Sequence, residues 1–367
     1  MRSVLAILSL LTLAAPAVFA HDPVPLAIGS KAPDFRLPGV DDKDHALADY
    51  ASAKVLVVYF TCNHCPTAQA YQTRIAKLHD DYKARGVAVV AISPNDPKAL
   101  TLDELAYSDL GDTFEEMKIR ARDAHFSYPY LYDGETQETA KAYGVLATPH
   151  VFIFDEGRTL RYQGRFDDGE FKAPTTHEAI DAVEALLAGK PVKVATTRVP
   201  GCSTKWSDKR ANVAKVNARW DAEPVELGQI DEVSVAELVK NDTQKYRLIN
   251  LWATWCGPCV EELDDLVSMN RMYRGPKFEM ITISLDEPEK RDEALGVLRE
   301  HHASTRNFLI HAENRDKFAD ALDKDWPGPV PYTMLVAPGG RVVYRKSGAF
   351  DSLELKRAIV KALGRTY

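Results

Sequence analysis

Cysteine is scarce in this chain: only five of its 367 residues are Cys, and four of these five form two Cys-x-x-Cys pairs. A small secreted scaffold held together by disulfides would show an even number of widely spaced cysteines, so that class of protein is excluded. Each half of the chain is also long enough to bury a core without such crosslinks. Close pairs of thiols indicate either thiol–disulfide redox chemistry or metal binding.

Positive charge is also in short supply. Lys and Arg number 46 against 53 Asp and Glu, which gives a formal net charge of −7. An acidic surface repels the phosphates of nucleic acids and the headgroups of anionic membranes, so we expect neither as a partner.

The sequence lacks long apolar runs except near its N-terminus, where residues 4–15 are mostly apolar and follow Arg2. This run is shorter than the ~20 apolar residues that span a bilayer. Small residues at Val18 and Ala20 fit a cleavage site, so residues 1–20 are predicted to be a secretory signal peptide, with a membrane anchor as the alternative. Cleavage would remove Arg2 and change the net charge from −7 to −8. We therefore expect an exported, periplasmic or otherwise extracytoplasmic protein that is not an integral membrane protein.

The rest of the chain repeats one plan twice. In each half a buried-strand pattern, at residues 55–60 and 246–252, ends shortly before a Cys pair, and a helical pattern follows. A further strand, helices, a strand, a hairpin and a final helix complete each half, which predicts an α/β fold with a mixed sheet flanked by helices. The expected domains are residues 21–190 and 226–367, joined by a linker at 191–225 that contains Cys202.

The position of the Cys pairs predicts their chemistry. A Cys between a strand and a helix lies at the positive end of the helix dipole, which lowers the pKa of its thiol. The second Cys, three residues later, can then attack the mixed disulfide. The first Cys of each pair, Cys62 or Cys256, is therefore expected to attack, and Cys65 or Cys259 to resolve.

A proline at the start of a later strand accompanies each pair, as Pro149 in the first half and Pro331 in the second. A cis peptide bond there would offer a strand-like edge to a substrate peptide near the sulfurs. The pairs differ in one respect: His64 lies between the first two cysteines, whereas only Gly257 and Pro258 separate the second two. Because a His can stabilise a thiolate, we expect the first pair to be the stronger oxidant and the second the stronger reductant.

Metal binding is the competing chemistry. Cys62, His64, Cys65 and His150 are soft and borderline ligands that could meet on one surface and bind copper or zinc. A structural zinc site needs four close ligands, and the second half has only two thiols.

The second half resembles the TlpA/ResA group of thioredoxin-like disulfide reductases. The resemblance rests on residues 249–259, which read INLWATWCGPC, on Glu262, and on Val330-Pro331. It implies a thioredoxin-like domain outside the cytoplasm that reduces protein disulfides, with cytochrome c maturation among the group's roles. It also implies that Trp255 flanks the nucleophile and that Glu262 is the nearest candidate for proton handling.

The first half is similar to the peroxiredoxin-like branch of the alkyl hydroperoxide reductase/thiol-specific antioxidant superfamily. The matching segments are residues 28–35, 60–66, 93–96, 129–133, 148–149 and 201–206. The last segment makes Cys202 part of the domain's own pattern. A peroxidase of this superfamily has Thr or Ser three residues before its reactive Cys, but Thr61 lies one before Cys62 and four before Cys65, so peroxidase activity is the alternative interpretation.

The sequence thus predicts two tandem thioredoxin-like domains that exchange thiols and disulfides with protein substrates. The cysteines would be the redox centre, without another cofactor, and electrons would come from an external donor such as a membrane thiol transporter. Two interpretations of Cys202 stay open: an unpaired thiol, or a third thiol that relays electrons.

Overall fold

The structure, a computed structural model, describes residues 23–365. The predicted signal peptide lies outside the described residues. Between residues 23 and 365 no helix combines the length and the apolar character that crossing a bilayer requires.

The first half of the chain folds around one mixed sheet. In chain order its elements are β1 (Arg36–Pro38), β2 (Asp44–Ala46), β3 (Val55–Phe60), α1 (Pro66–Tyr82), β4 (Val87–Ser93), α2 (Phe114–Asp123), β5 (Tyr130–Tyr132), α3 (Glu138–Tyr143), β6 (Ala147–Thr148), β7 (His150–Phe154), β8 (Leu160–Gly164), α4 (Glu178–Leu187), β9 (Cys202–Ser203) and α5 (Arg210–Asp221).

The sheet of this half has the strand order β5-β4-β3-β7-β8. Strand β3 runs parallel to β4 and antiparallel to β7, and all six of its residues are buried. Val55, Val57 and Tyr59 join the core on one face of the sheet. Leu56, Val58 and Phe60 join the core on the other face. Side chains alternate along a strand, so a fully apolar strand indicates a sheet covered on both faces.

The second half repeats the plan. Its elements are β10 (Gly228–Ile230), α6 (Glu232–Lys240), β11 (Tyr246–Trp252), α7 (Gly257–Glu261), α8 (Leu263–Tyr273), β12 (Phe278–Ser284), α9 (Arg291–Glu300), β13 (Arg306–Ile310), α10 (Arg315–Leu322), β14 (Tyr332–Val336), β15 (Val342–Ser347) and α11 (Ser352–Ala362).

Its sheet has the order β10-β13-β12-β11-β14-β15, with β11 parallel to β12 and antiparallel to β14. In each sheet a hairpin, β7–β8 or β14–β15, supplies the last two strands at one edge, and each hairpin contains one register shift. The predicted α/β class, two mixed sheets flanked by helices, is confirmed.

The predicted linker contains regular structure. Strand β9 pairs with β6, and helix α5 reaches from one half to the other. At the start of α5, Arg210 forms an ion pair with Asp96 of the first half. At its end, the buried Trp220 ring lies beneath the guanidinium groups of Arg271 in α8 and of Arg274, the residue that caps α8. The domain bounds stay a prediction, but this segment is a packed part of the molecule.

Further contacts join the halves around residues 101–112. Leu102 and Leu105 pack against the core of the second half. The Tyr273 hydroxyl donates a hydrogen bond of 2.8 Å to the carbonyl oxygen of Ser108. Arg357 of α11 forms an ion pair of 3.1 Å with Asp109. The second half therefore contacts the loop that precedes Asp112, and Asp112 binds the backbone between the first two cysteines.

We expect Trp220→Ala to lower the free energy of unfolding by about 3–5 kcal/mol, because it removes a large buried aromatic side chain. Arg219→Ala, at an exposed position one residue earlier, is the control and should change stability by less than about 0.5 kcal/mol. Urea unfolding followed by far-UV circular dichroism measures both. Equal effects of the two substitutions would show that α5 is a loosely attached linker.

Candidate active site

The first Cys pair lies between the end of β3 and the start of α1. Helix α1 begins at Pro66, and Cys65 is its N-cap residue. Proline fits the first helical position because it has no N–H to lose there, so the chain stays non-helical up to Cys65. Cys65, and not Cys62 as the sequence analysis expected, therefore lies at the positive end of the helix.

Three thiols meet at this point. The Cys65 sulfur accepts hydrogen bonds from the thiols of Cys202 and Cys62, and these outweigh burial and hold its pKa well below the usual range. Burial, followed by the hydrogen bond to Cys65, raises the pKa of Cys62. The hydrogen bond that Cys202 donates to Cys65, together with burial, raises its own pKa. Cys65 is therefore the first of the three thiols to ionise; in its protonated form its sulfur donates a hydrogen bond of 3.1 Å to the Thr148 carbonyl oxygen.

His64 points into the protein. It is 1 % exposed, and its Nδ1 donates a hydrogen bond of 2.6 Å to Oδ2 of the buried Asp112. Burial opposes the imidazolium, but the Asp112 carboxylate outweighs this and raises the pKa of His64. The resulting positive charge also lowers the pKa of Cys65, more weakly than the hydrogen bonds do, whereas the sequence analysis expected His64 to act on the first Cys of the pair, Cys62.

Asp112 organises the whole loop around the thiols. Its Oδ1 accepts the backbone N–H groups of Asn63 at 2.9 Å and His64 at 3.2 Å. Its Oδ2 also accepts the side-chain amide of Asn95 at 2.7 Å. The other side of that amide, Asn95 Oδ1, accepts the backbone N–H of Lys205 at 2.9 Å, three residues after Cys202. One network therefore fixes both the Cys62–Cys65 loop and the segment that carries Cys202.

The second Cys pair is a disulfide between Cys256, the N-cap residue of α7, and the buried Cys259. The indole of Trp255 beside it is 71 % exposed. Glu262 lies one turn along the chain and is 7 % exposed; its Oε1 accepts a hydrogen bond of 2.8 Å from Asn250. Burial raises the pKa of Glu262 to about 7, which suits a group that exchanges protons near neutrality.

Both predicted prolines follow a cis peptide bond, Thr148–Pro149 and Val330–Pro331. Thr148 contacts the first pair directly: its hydroxyl lies 3.0 Å from the Cys62 sulfur and its carbonyl oxygen 3.1 Å from the Cys65 sulfur. The edge at Thr148 is already paired with β9 of the same chain. Within residues 23–365, no strand pairs with Val330 in the second half.

The group of residues that could hold a metal ion in the structure differs from the group expected from the sequence. Donor atoms of Cys62, His64 and Asp112 lie within 4.8 Å of one another. His150 is buried against Phe152, and burial lowers its pKa to about 3. A metal ion at Asp112 would have to replace hydrogen bonds that already occupy both carboxylate oxygens.

Sequence reasoning missed Asp112. Asp112 precedes the capping residue Thr113 of α2, and its only sequence signal is a polar position at a helix start. The second half has a similar device that was also missed: Asp286 accepts the backbone N–H of Thr254, two residues before Cys256.

Comparison with known proteins agrees with the repeated plan. A model of the AhpC/TSA family matches residues 28–163 and again residues 221–345.

Individual relatives match about half of the chain or less. A thiol-disulfide oxidoreductase ResA of Geobacillus thermodenitrificans is 29% identical over 165 residues, which are 44% of this chain and 83% of that protein. A protein of Mycobacterium tuberculosis that carries the name peroxiredoxin is 33% identical over 75 residues, 20% of this chain and 48% of that protein. The crystal structure of an uncharacterized conserved protein from Geobacillus kaustophilus is 37% identical, covers 53% of this chain and 98% of its own, and has a TM-score of 0.45.

We expect the thiolate of the first pair to depend on Cys65. In a background with Cys256→Ser and Cys259→Ser, the reduced Cys62→Ser variant keeps a hydroxyl donor to Cys65 and should show thiolate ultraviolet absorbance below the ordinary thiol pKa of about 8.5. The reduced Cys65→Ser variant should show it only above that value, because burial raises the pKa of Cys62. The reverse order would assign the thiolate to Cys62.

Glu262 should make stability depend on pH. Its pKa rises from 4.5 to about 7 on folding, so between these values the unfolded chain ionises first and the native protein loses stability as pH increases. Glu262→Gln lacks this loss, and its stability relative to the parent should therefore increase from about pH 4.5 to about pH 7. Urea midpoints of both proteins with the disulfide intact measure the difference. A constant difference would show that Glu262 titrates normally.

Proposed function

The chain belongs to the AhpC/TSA family and is a redox enzyme of the thioredoxin type, and we propose that it is an exported oxidoreductase that reduces protein disulfides through both Cys pairs. The observation that carries the proposal is the position of Cys65 at the start of α1, where its pKa is lowered, with a second thiol, Cys62, three residues earlier. A stabilised thiolate beside a second thiol is what two-step disulfide exchange requires.

The second centre, formed by Cys256 and Cys259, would react with the protein substrate. In its reduced state, the Cys256 thiolate at the start of α7 attacks a substrate disulfide, and one substrate thiol leaves. Glu262 takes the proton of Cys259, whose thiolate then displaces the second substrate thiol and closes the Cys256–Cys259 disulfide. The exposed indole of Trp255 supplies apolar contact area for the substrate chain beside the attacking sulfur.

In the first centre we assign the attack to Cys65 and the supporting role to Cys62, the reverse of the order expected from the sequence. The hydrogen bonds that Cys65 accepts favour its charged form, whereas burial disfavours the charged form of Cys62. Pro149 and His64 would act as positioning residues, through the Thr148 edge and through Asp112.

Location and partners follow from the same proposal. The apolar run at residues 4–15 supports export to the periplasm or another compartment outside the cytoplasm. There the oxidised enzyme needs an outside dithiol, such as that of a membrane thiol transporter, to become reduced again. Cytochrome c maturation is one process that would supply protein disulfides as substrates.

The two centres should have different reduction midpoints. The reduced form of the first pair is stabilised by the Cys65 thiolate, so Cys256/Cys259 should titrate below Cys62/Cys65 by at least about 30 mV, the equivalent of a ten-fold stabilisation. The mature protein would be equilibrated in graded thiol/disulfide buffers, alkylated, and its free thiols counted by mass spectrometry. Coinciding midpoints would contradict the effect assigned to His64 and Cys65, and a pair that fails to titrate reversibly would contradict disulfide exchange at that site.

Peroxide reduction is the second candidate, because a buried, stabilised thiolate such as Cys65 is also what attack on a peroxide requires. Peroxide consumption by the full chain with Cys256→Ser and Cys259→Ser discriminates the two functions. A rate that depends on Cys65 and exceeds that of a free thiol would favour the peroxidase.

A further inference from the structure

The first centre carries a strand of its own chain at the edge where the sequence analysis expected a substrate peptide. Strand β9 pairs antiparallel with β6, so that Cys202 lies opposite Thr148 and Ser203 opposite Ala147. The Thr148 carbonyl oxygen is 3.1 Å from the Cys65 sulfur. Cys202 therefore occupies the place of a substrate cysteine.

Several independent contacts fix this strand. Gly201 has φ +102, and a Cβ there would lie 2.1 Å from the Thr148 carbonyl oxygen, so only glycine permits the approach. The Lys205 carbonyl oxygen accepts hydrogen bonds from the Asp96 backbone at 3.0 Å and from the Gln137 side chain at 2.8 Å. The pairing is thus a built part of the fold.

The three thiols differ in their exposure to solvent. Cys62 is 1 % and Cys65 is 0 % exposed, whereas Cys202 is only partly buried. Of the three thiols, Cys202 is therefore the one that a protein thiol from outside would meet first.

We propose that Cys202 is a third redox thiol, which forms a disulfide with Cys65 and connects the buried pair to protein dithiols outside. The proposal rests on disulfide exchange by the first pair, as proposed above. It assigns the segment around Cys202 a role as a tethered internal substrate of that pair.

The exchange balances without an added oxidant. Starting from a Cys62–Cys65 disulfide, the Cys202 thiolate attacks the Cys65 sulfur; the Cys65–Cys202 bond forms, the Cys62–Cys65 bond breaks, and Cys62 takes up the proton that Cys202 lost. A thiolate of an outside dithiol then attacks the Cys202 sulfur, and Cys65 leaves as a thiolate. The second outside thiol displaces Cys202, so that the outside protein is oxidised by two electrons and the Cys65–Cys202 disulfide is reduced.

The direction of attack fits the electrostatics. Disulfide exchange is faster when the leaving sulfur has a low pKa. Attack on Cys202 releases Cys65, the thiol whose pKa the centre lowers, whereas attack on Cys65 from outside is blocked by burial.

Peptide mapping tests the inference on the full chain. Trypsin leaves Cys62 and Cys65 on residues 55–74, Cys202 on residues 199–205, and Cys256 and Cys259 on residues 248–271. The protein would be equilibrated with glutathione disulfide, its free thiols blocked in acid, and its digest analysed without reduction. In Cys62→Ser we expect most molecules to carry a disulfide between the peptides 55–74 and 199–205. In Cys65→Ser we expect at least about ten-fold less of this disulfide, because Cys202 forms its hydrogen bond with Cys65.

A matched control moves the sulfur by one residue. In Cys62→Ser with Cys202→Ser and Ser203→Cys, the new thiol lies on the opposite face of β9 and should not join Cys65. If Cys62→Ser gives no joined peptide while the parent still forms Cys62–Cys65, the three-thiol inference is overturned and the proposed function stands. If the parent forms neither disulfide, the proposed function fails as well. Should Cys62→Ser fold poorly, the joined peptide is sought in the oxidised parent, and its absence there also overturns the inference.

Discussion

The buried carboxylate of Asp112 is the interaction on which the first redox centre depends. A carboxylate without partners inside a protein costs several kcal/mol, so its ionised form needs every donor that surrounds it. These donors are the backbone of Asn63, the backbone and ring of His64, and the side chain of Asn95. The Cys62–Cys65 loop is therefore held by the same charge that keeps His64 protonated, and the shape of the loop and the electrostatics of its thiols change together.

The same network reaches both Cys202 and the second half of the molecule. Asn95 binds Asp112 through its nitrogen and the Lys205 backbone through its oxygen, so the position of β9 depends on the loop of the Cys pair. Asp112 itself follows a loop that Tyr273 and Arg357 bind from the second half. The contacts between the halves thus lie next to the elements that position the thiols of the first centre.

The parts of this arrangement that the sequence predicted are those determined by neighbouring residues. Strands β3 and β11 have the predicted bounds, residues 55–60 and 246–252, because most of their residues are apolar and buried. Cys62 was expected at the positive end of α1 because it directly follows the strand, whereas α1 begins at Pro66 and Cys65 is its N-cap residue. The contacts of His64 with Asp112 and of Cys202 with Thr148 join distant parts of the chain, and periodicity carries no information about such contacts.

The two centres share a fold but differ in what lies at the strand edge beside the sulfurs. Strand β9 covers the edge of the first centre, whereas no strand between residues 23 and 365 covers Val330 in the second, and Trp255 is exposed beside that disulfide. A protein substrate pairs with a free strand edge beside the sulfurs, and within residues 23–365 the second centre is the one with such an edge. The first centre buries its thiolate and its partner thiol, and this raises the cost of direct contact with large substrates. The two halves thus share one fold, but one centre is suited to substrates and the other to exchange through a thiol of its own chain.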